Sequence, residues 1–336
     1  MELRAHKVSL ALTETFTIAR HSRDVEQVVH VELEHDGVVG YGEGAPVDYW
    51  GETPESLLAF LREEAPELIG GDPYAHEYIG RRLARRPGEQ GAKQAIDGAL
   101  HDWLGKRLGE PVWRLFGLSP ISPPTSYTIG IDTIEGTADR TRRAHGYHVL
   151  KLKLGGPDDL ERLRTVRENT SARIRVDGNE GWTLETAREL MPVLVEMGVE
   201  FVEQPFPAAD LDSFRALREI NPRIPVVIDE GVKDLLDVAR VAGYADGINI
   251  KLAKSGGIRE ALRMIHAARA LGLQVMLGCM IESELGIAAA AQIASLVDYV
   301  DLDGHLLISN SPFTGLGFRE GGVVASADPG LGVRPE

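Results

Sequence analysis

VLKLKLG (149–155), RIRVDGN (173–179), EFVEQP (200–205), PVVIDE (225–230) and GINIKL (247–252) are the stretches that decide the fold of this chain. Each is a short apolar run that closes on charged or amide residues. Helix-period segments lie between or after them at 160–169, 184–197, 211–220 and 258–271. In the last of these, Ile258, Leu262, Ile265 and Ala268 form one apolar stripe. The gap between the PVVIDE and GINIKL runs has room for one small helix. Outward from this centre, SYTIGI (126–131) precedes the series, and QVMLGC (274–279) and YVDLDG (299–304) follow it. Eight strands alternating with helices predict an α/β fold, a (β/α)8-type barrel, in preference to an open doubly wound sheet.

Upstream the pattern changes. VVHVEL (28–33) and VVGYG (38–42) flank His35-Asp36-Gly37, which is a hairpin signal. Segments 55–64 and 89–107 read as helices, so strands followed by helices predict an α+β unit at 1–120. Pro120, Pro123 and Pro124 mark its boundary with a barrel unit at 121–304. Segment 305–336 no longer repeats and is expected to return to the N-terminal unit. Gly40, Gly42 and Gly44 resemble part of a dinucleotide fingerprint, but no helix follows directly, so they are read as turn glycines.

Lys plus Arg is 36 and Asp plus Glu is 51 over 336 residues, for a net charge of −15. Such a chain is a poor binder of polyanions, which argues against nucleic acid and anionic membrane surfaces as partners. The most apolar helix-like run, 285–297, is too short to span a bilayer. The single cysteine, Cys279, excludes an internal disulfide framework and a zinc–thiolate cluster, and fits a reducing, cytoplasmic setting.

Barrel active sites lie at the C-terminal ends of the strands. Here those ends carry Lys151 and Lys153, Asp177, Glu203, Asp229, Lys251, and Asp301 with Asp303. Asp177, Glu203 and Asp229 recur one βα repeat apart, on three neighbouring strands. Three hard carboxylates without nearby Cys or His suit Mg²⁺, with Mn²⁺ as a substitute, and leave coordination positions open for substrate oxygens. Lys151 and Lys153, two apart on one strand, face the same way. The charge of Lys151 is expected to lower the proton affinity of Lys153. Lys251 ends the sixth strand, opposite the second in a ring of eight. Two amines flanking one cavity can take a proton from one face of a carbon and return one to the other. Lys254 is expected to point elsewhere. Asp301 and Asp303 also face inward, and suit a substrate ammonium group better than a second metal.

LKLKLG, VDGNEGW, VEQP, IDE, NIKLAKSGG and GCMIESELG, in this order over nearly the whole chain, resemble the muconate-lactonizing subgroup of the enolase superfamily. DLDG (301–304) is similar to the DxD motif of its dipeptide epimerases, the L-Ala-D/L-Glu type especially. The resemblance implies a modified (β/α)7β barrel with an α+β capping domain completed by 305–336. It implies Asp177, Glu203 and Asp229 as Mg²⁺ ligands, Lys153 and Lys251 as acid/base catalysts, and Lys151 as electrostatic support for an enolate. Asp301 and Asp303 would bind the α-ammonium of a dipeptide. Loops IARHSR, with Arg20, His21 and Arg23, and DYWGET would close over the substrate. Gly231 stands where relatives often have Ser. Other enzymes on this scaffold are N-acylamino acid racemase, o-succinylbenzoate synthase and muconate cycloisomerase, whose substrates lack the free amine that would explain the paired aspartates. A homo-oligomer is compatible with the sequence.

Overall fold

The computed structural model describes residues 1–221 and 223–336. The N-terminal unit is a three-stranded antiparallel sheet, β1 (Glu2–Thr17), β2 (Ser22–His35) and β3 (Val38–Gly44), in that order. Asp36 and Gly37 both take positive φ (50° and 73°), the geometry of the two-residue turn whose twist matches the strands it joins. β1 is an element the sequence reading did not contain. Its side chains alternate between exposed and half-buried, so its apolar signal is weak, and its twelve partners on β2 supply what local pattern does not.

The helix Gln90–Leu108 lies against this sheet, with Ile96, Leu100 and Trp103 packed on Val29, Val31 and Leu33. Gly40, Gly42 and Gly44 are not turn glycines. A Cβ on each would lie 1.9–2.1 Å from a backbone oxygen of Ala99, Ala95 or Gly91 on the helix. They are absent side chains at a close strand–helix contact.

The barrel has eight parallel strands: Tyr127–Ile129, Val149–Lys153, Arg173–Asp177, Val199–Glu203, Val226–Ile228, Gly247–Lys251, Gln274–Gly278 and Tyr299–Asp301. They are called strands one to eight below. A bridge between Thr125 and Val300, with Ser126 N–H donating to the Val300 carbonyl at 3.1 Å, brings the last strand to the first. Strands one to seven are each followed by a helix, whereas strand eight runs into a short 3-10 turn at Gly304–Leu306. This is the (β/α)7β variant of the barrel with a separate capping sheet. The strands are buried on both faces, because helices cover one side and opposing strands the other. In strand two, Leu150 and Leu152 join the apolar core, which leaves Lys151 and Lys153 the inner face.

The C-terminal segment runs back along both units. Leu12 bridges to Ile308, Ala11 accepts from the Ser309 amide, and the strand Gly322–Val324 pairs with Ile121–Pro124. No helix among the described residues is long and apolar enough to cross a membrane.

Candidate active site

A cleft of about 910 Å³, counted to its open mouth, lies over the C-terminal ends of the strands. Arg20, His21, Arg23, Lys151, Lys153, Lys251, Asp301 and Asp303 all line it. Beneath its lysines lie Asp177, Glu203 and Asp229, each 0–1% exposed, which make the buried floor of the site.

Each floor carboxylate has one oxygen held by a fixed donor and the other turned toward an amine. Asp177 Oδ1 accepts from the Asn179 amide at 2.9 Å, while Oδ2 lies 2.7 Å from Lys153 Nζ and 3.1 Å from Lys151 Nζ. Glu203 Oε1 accepts from Asn249 Nδ2 at 2.8 Å. Its Oε2 is 2.6 Å from Lys151 Nζ yet takes no aligned hydrogen bond. Asp229 Oδ2 is 2.8 Å from Lys251 Nζ, and Oδ1 accepts from Lys254 at 2.6 Å.

Lys254 therefore corrects the sequence reading. It does not point away: the one-turn helix Leu252–Ser255 after strand six swings it back, and its Nζ also reaches the carbonyls of Asp229 (2.5 Å) and Asn249 (2.9 Å). Two further residues escaped notice because amides in a strand-end motif carry no charge signal. Asn249 orients Glu203, and Gln204 Oε1 accepts from the Asp229 amide at 2.7 Å. Gln204 sits at φ 34°, with Asn179 and Glu180 also at positive φ. Such backbone costs energy, and surrounding bonds such as Gln204 Nε2 to the Phe206 carbonyl hold it.

The electrostatics follow from burial among mixed charges. For Asp177, burial alone would raise the carboxyl, but the Lys153 and Lys151 ammonium groups outweigh it and hold it below the usual range. Asp229 is lowered likewise, against burial, by Lys251 and Lys254. Glu203 moves the other way: burial and then the Asp177 charge push it up to about 7. For Lys151, burial disfavours the charge, but Asp301, Glu203 and Asp177 together raise the group well above the ordinary lysine value. Lys251 is raised too, chiefly by Asp229 working against burial.

Asp301 Oδ2 accepts from Lys151 at 2.8 Å, and Oδ1 has no hydrogen-bond partner among the described residues. Asp303 Oδ2 accepts from the Thr128 amide at 2.7 Å; burial and then Asp301 push this carboxyl up to about 7. At the rim, Arg20 pairs with Glu230 at 2.8 Å and Glu180 at 3.3 Å, and its guanidinium lies 5.2 Å from the Tyr49 ring centre. Arg23 pairs with Glu26 at 2.7 Å and with Asp48, and His21 Nε2 lies 3.6 Å from Asp48. Gly231 contributes its carbonyl to Arg240 at 2.7 Å.

Residues 134–336 match the enolase C-terminal domain-like family, and residues 1–117 match the N-terminal domain of the mandelate racemase/muconate lactonizing enzymes. The chain belongs to this branch of the enolase superfamily. More particularly, it is 41% identical to the L-Ala-D/L-Glu epimerase of Bacteroides thetaiotaomicron, over 99% of this chain and 88% of that one. A substrate-liganded complex of the L-Ala-D/L-Glu epimerase from Bacillus subtilis superposes with a TM-score of 0.94 at 28% identity, covering 100% of this chain and 98% of that one. A dipeptide epimerase from Methylococcus capsulatus, complexed with Mg and the dipeptide L-Arg-D-Lys, superposes with a TM-score of 0.93 at 34% identity, covering 99% and 98%.

Proposed function

We propose that this chain is a Mg²⁺-dependent dipeptide epimerase of the L-Ala-D/L-Glu type, which inverts the α-carbon of the C-terminal residue. The observation that carries the reading is the pair Lys153 and Lys251, on strands four apart in a ring of eight, facing one cavity with Asp301 and Asp303 beside them.

The donor set fits the cation. Three buried carboxylates offer hard oxygens, and the unaligned Glu203 Oε2 together with the raised Glu203 carboxyl marks a floor short of positive charge. Asp177, Glu203 and Asp229 would hold Mg²⁺. Among the described residues no three acidic, histidine or cysteine side chains are already drawn to ligand spacing, and Lys151 stands between Asp177 and Glu203. When bound, Mg²⁺ supplies positive charge that acidifies the substrate Cα–H and takes up the Asp229 charge now keeping Lys251 protonated.

In this reading one lysine of the pair removes the α-proton and the other delivers a proton to the opposite face. Lys151 supplies fixed charge where negative charge grows on the substrate carboxylate. Asp301 Oδ1 and Asp303 receive the free α-ammonium, which sets the register of the dipeptide. Arg20, His21 and Arg23 meet the side chain of the C-terminal residue, where an arginine can grip a glutamate carboxylate. Residues 1–120 with 305–336 act as the capping unit over a catalytic unit at 121–304. A cytoplasmic enzyme, as a homo-oligomer or alone, fits the single cysteine and the acidic surface.

The test is a dipeptide library in D₂O with Mg²⁺, read by mass spectrometry. Deuterium should enter only the α-position of the C-terminal residue, with L-Ala-L-Glu among the best substrates. Exchange confined to N-acylated amino acids, with none in dipeptides, would refute the reading.

A further inference from the structure

Two walls of the cavity belong to different units of the molecule. Ala45 and Pro46 follow β3, whereas Cys279, Met280 and Ile281 follow strand seven. One line of hydrogen bonds joins the two walls. The Ala45 amide donates to Gln94 Oε1 at 3.2 Å. Gln94 Nε2 donates to Glu282 Oε2 at 2.7 Å. The Met280 amide donates to Glu282 Oε1 at 2.9 Å. Gln94 and Glu282 are both 2% exposed, so the line runs through the interior.

A second tie lies alongside. Glu43, the penultimate residue of β3, accepts from the Ser283 amide at 2.8 Å and from the Ser283 hydroxyl, and lies 2.7 Å from His30 Nε2. The strand-seven loop is also wedged against the end of strand eight. A Cβ on Gly304 would lie 2.3 Å from the Met280 carbonyl oxygen, next in sequence to Asp303. A shift of this loop therefore changes its distance both from the cap wall and from the ammonium site.

The chemistry of position 282 is dictated by its neighbours. Both the Gln94 amide and the Met280 N–H are donors, so the side chain between them must accept on both oxygens, which an ionised carboxylate does and an amide cannot.

We propose that Gln94 and Glu282 are positioning residues. They set the spacing between the Ala45–Pro46 wall and the Met280–Ile281 wall, and so select dipeptides by the size of the side chain lodged between them. This inference rests on the dipeptide-epimerase reading.

Glu282→Gln breaks one link whichever way the new amide is turned. The paired variant Gln94→Glu/Glu282→Gln restores all three links, with donor and acceptor exchanged between the two positions. The experiment measures KM and kcat of the full chain with Mg²⁺ on L-Ala-L-Ala, L-Ala-L-Glu and L-Ala-L-Phe, alongside Tm. Glu282→Gln should raise KM for the best of these by roughly tenfold, the scale of one lost charged hydrogen bond. It should also compress the kcat/KM ratio between small and large side chains, while kcat stays within about threefold. The paired variant should recover KM and the ratio. If Glu282→Gln does not fold, Gln94→Met cuts the same line from the other unit and is read the same way. A single variant with wild-type KM and ratio overturns the proposal, as does a paired variant of wild-type Tm that regains neither. Wild-type protein silent on every dipeptide overturns the underlying reading and this inference with it. Wild-type turnover with unaltered variants overturns the inference alone.

Discussion

The floor and the rim of the cavity use the same charged residue types but hold them differently. On the floor, Lys151, Asp177, Glu203 and Asp229 stand at or next to the ends of barrel strands and are 0–1% exposed. Each is tied to neighbours whose positions the strand ladders and strand-end loops already determine. At the rim, Arg20 lies in the β1–β2 connection and Arg23 at the start of β2, with side chains 30% and 33% exposed; Arg20 pairs with Glu180 and the buried Glu230, and Arg23 with Glu26 and Asp48. Breaking a buried pair strands a charge in low dielectric and costs several kcal/mol, whereas a half-exposed pair is worth about 1 kcal/mol or less. On the proposed mechanism the floor cannot vary without losing the chemistry, whereas the rim can trade partners, so substrate choice would be free to drift while the proton transfers stay in place.

The largest effect should come from the two lysines that stand directly on the floor acids Asp177 and Asp229. Lys153→Ala and Lys251→Ala each remove one of the two proposed proton carriers, and inversion should fall by roughly 10²–10⁴-fold in either variant, measured by chiral chromatography of the product. A loss below tenfold in either would end the two-base assignment.

A middle-sized effect separates stability from binding at Asp303. Its carboxyl is near 7 in the folded protein against 3.8 in an unfolded chain. Between those values the folded state holds a proton that the unfolded state has released. Its contribution to stability is thus present below pH 4 and lost as the pH rises to about 7. Asp303→Asn escapes that loss and keeps an oxygen for the Thr128 amide. In urea unfolding of metal-free protein it should gain on the wild type by roughly 2–3 kcal/mol between pH 5 and pH 8. It should bind free-amine dipeptides more weakly while leaving N-acetylated analogues unaffected. A constant stability difference across that pH range would contradict the buried, proton-holding carboxyl.

The smallest effect belongs to the rim. Arg23→Gln, whose partner Asp48 is 40% exposed, should change stability by about 1 kcal/mol or less and leave kcat within a few-fold, while the preference for acidic over apolar C-terminal residues falls by up to about tenfold. A kcat loss on the scale of the lysine variants would erase the distinction between floor and rim.

The strand ends were legible because alternation and charge placement are local signals: Lys151 and Lys153 announce an inner face by their spacing alone. Lys254 was not, since the helical turn after strand six that redirects it has no periodicity to read. Asn249 and Gln204 were missed because their work is to orient acids on other strands. Gly40, Gly42 and Gly44 were misread because a glycine looks the same in a turn as under a helix, and only the packing partner tells them apart.

By itself the sequence determined the order of the barrel's strands and helices, the face each of those strands turns inward and the acids and amines carried at its end. These depend on neighbours a few residues away. Only the tertiary structure decided which oxygen meets which amine, and how the cap is fastened to the barrel. Lys153 and Asp177 are 24 residues apart and Gln94 and Glu282 are 188 apart, and a hydrogen bond between such groups exists only once barrel closure and cap docking have brought them to within about 3 Å.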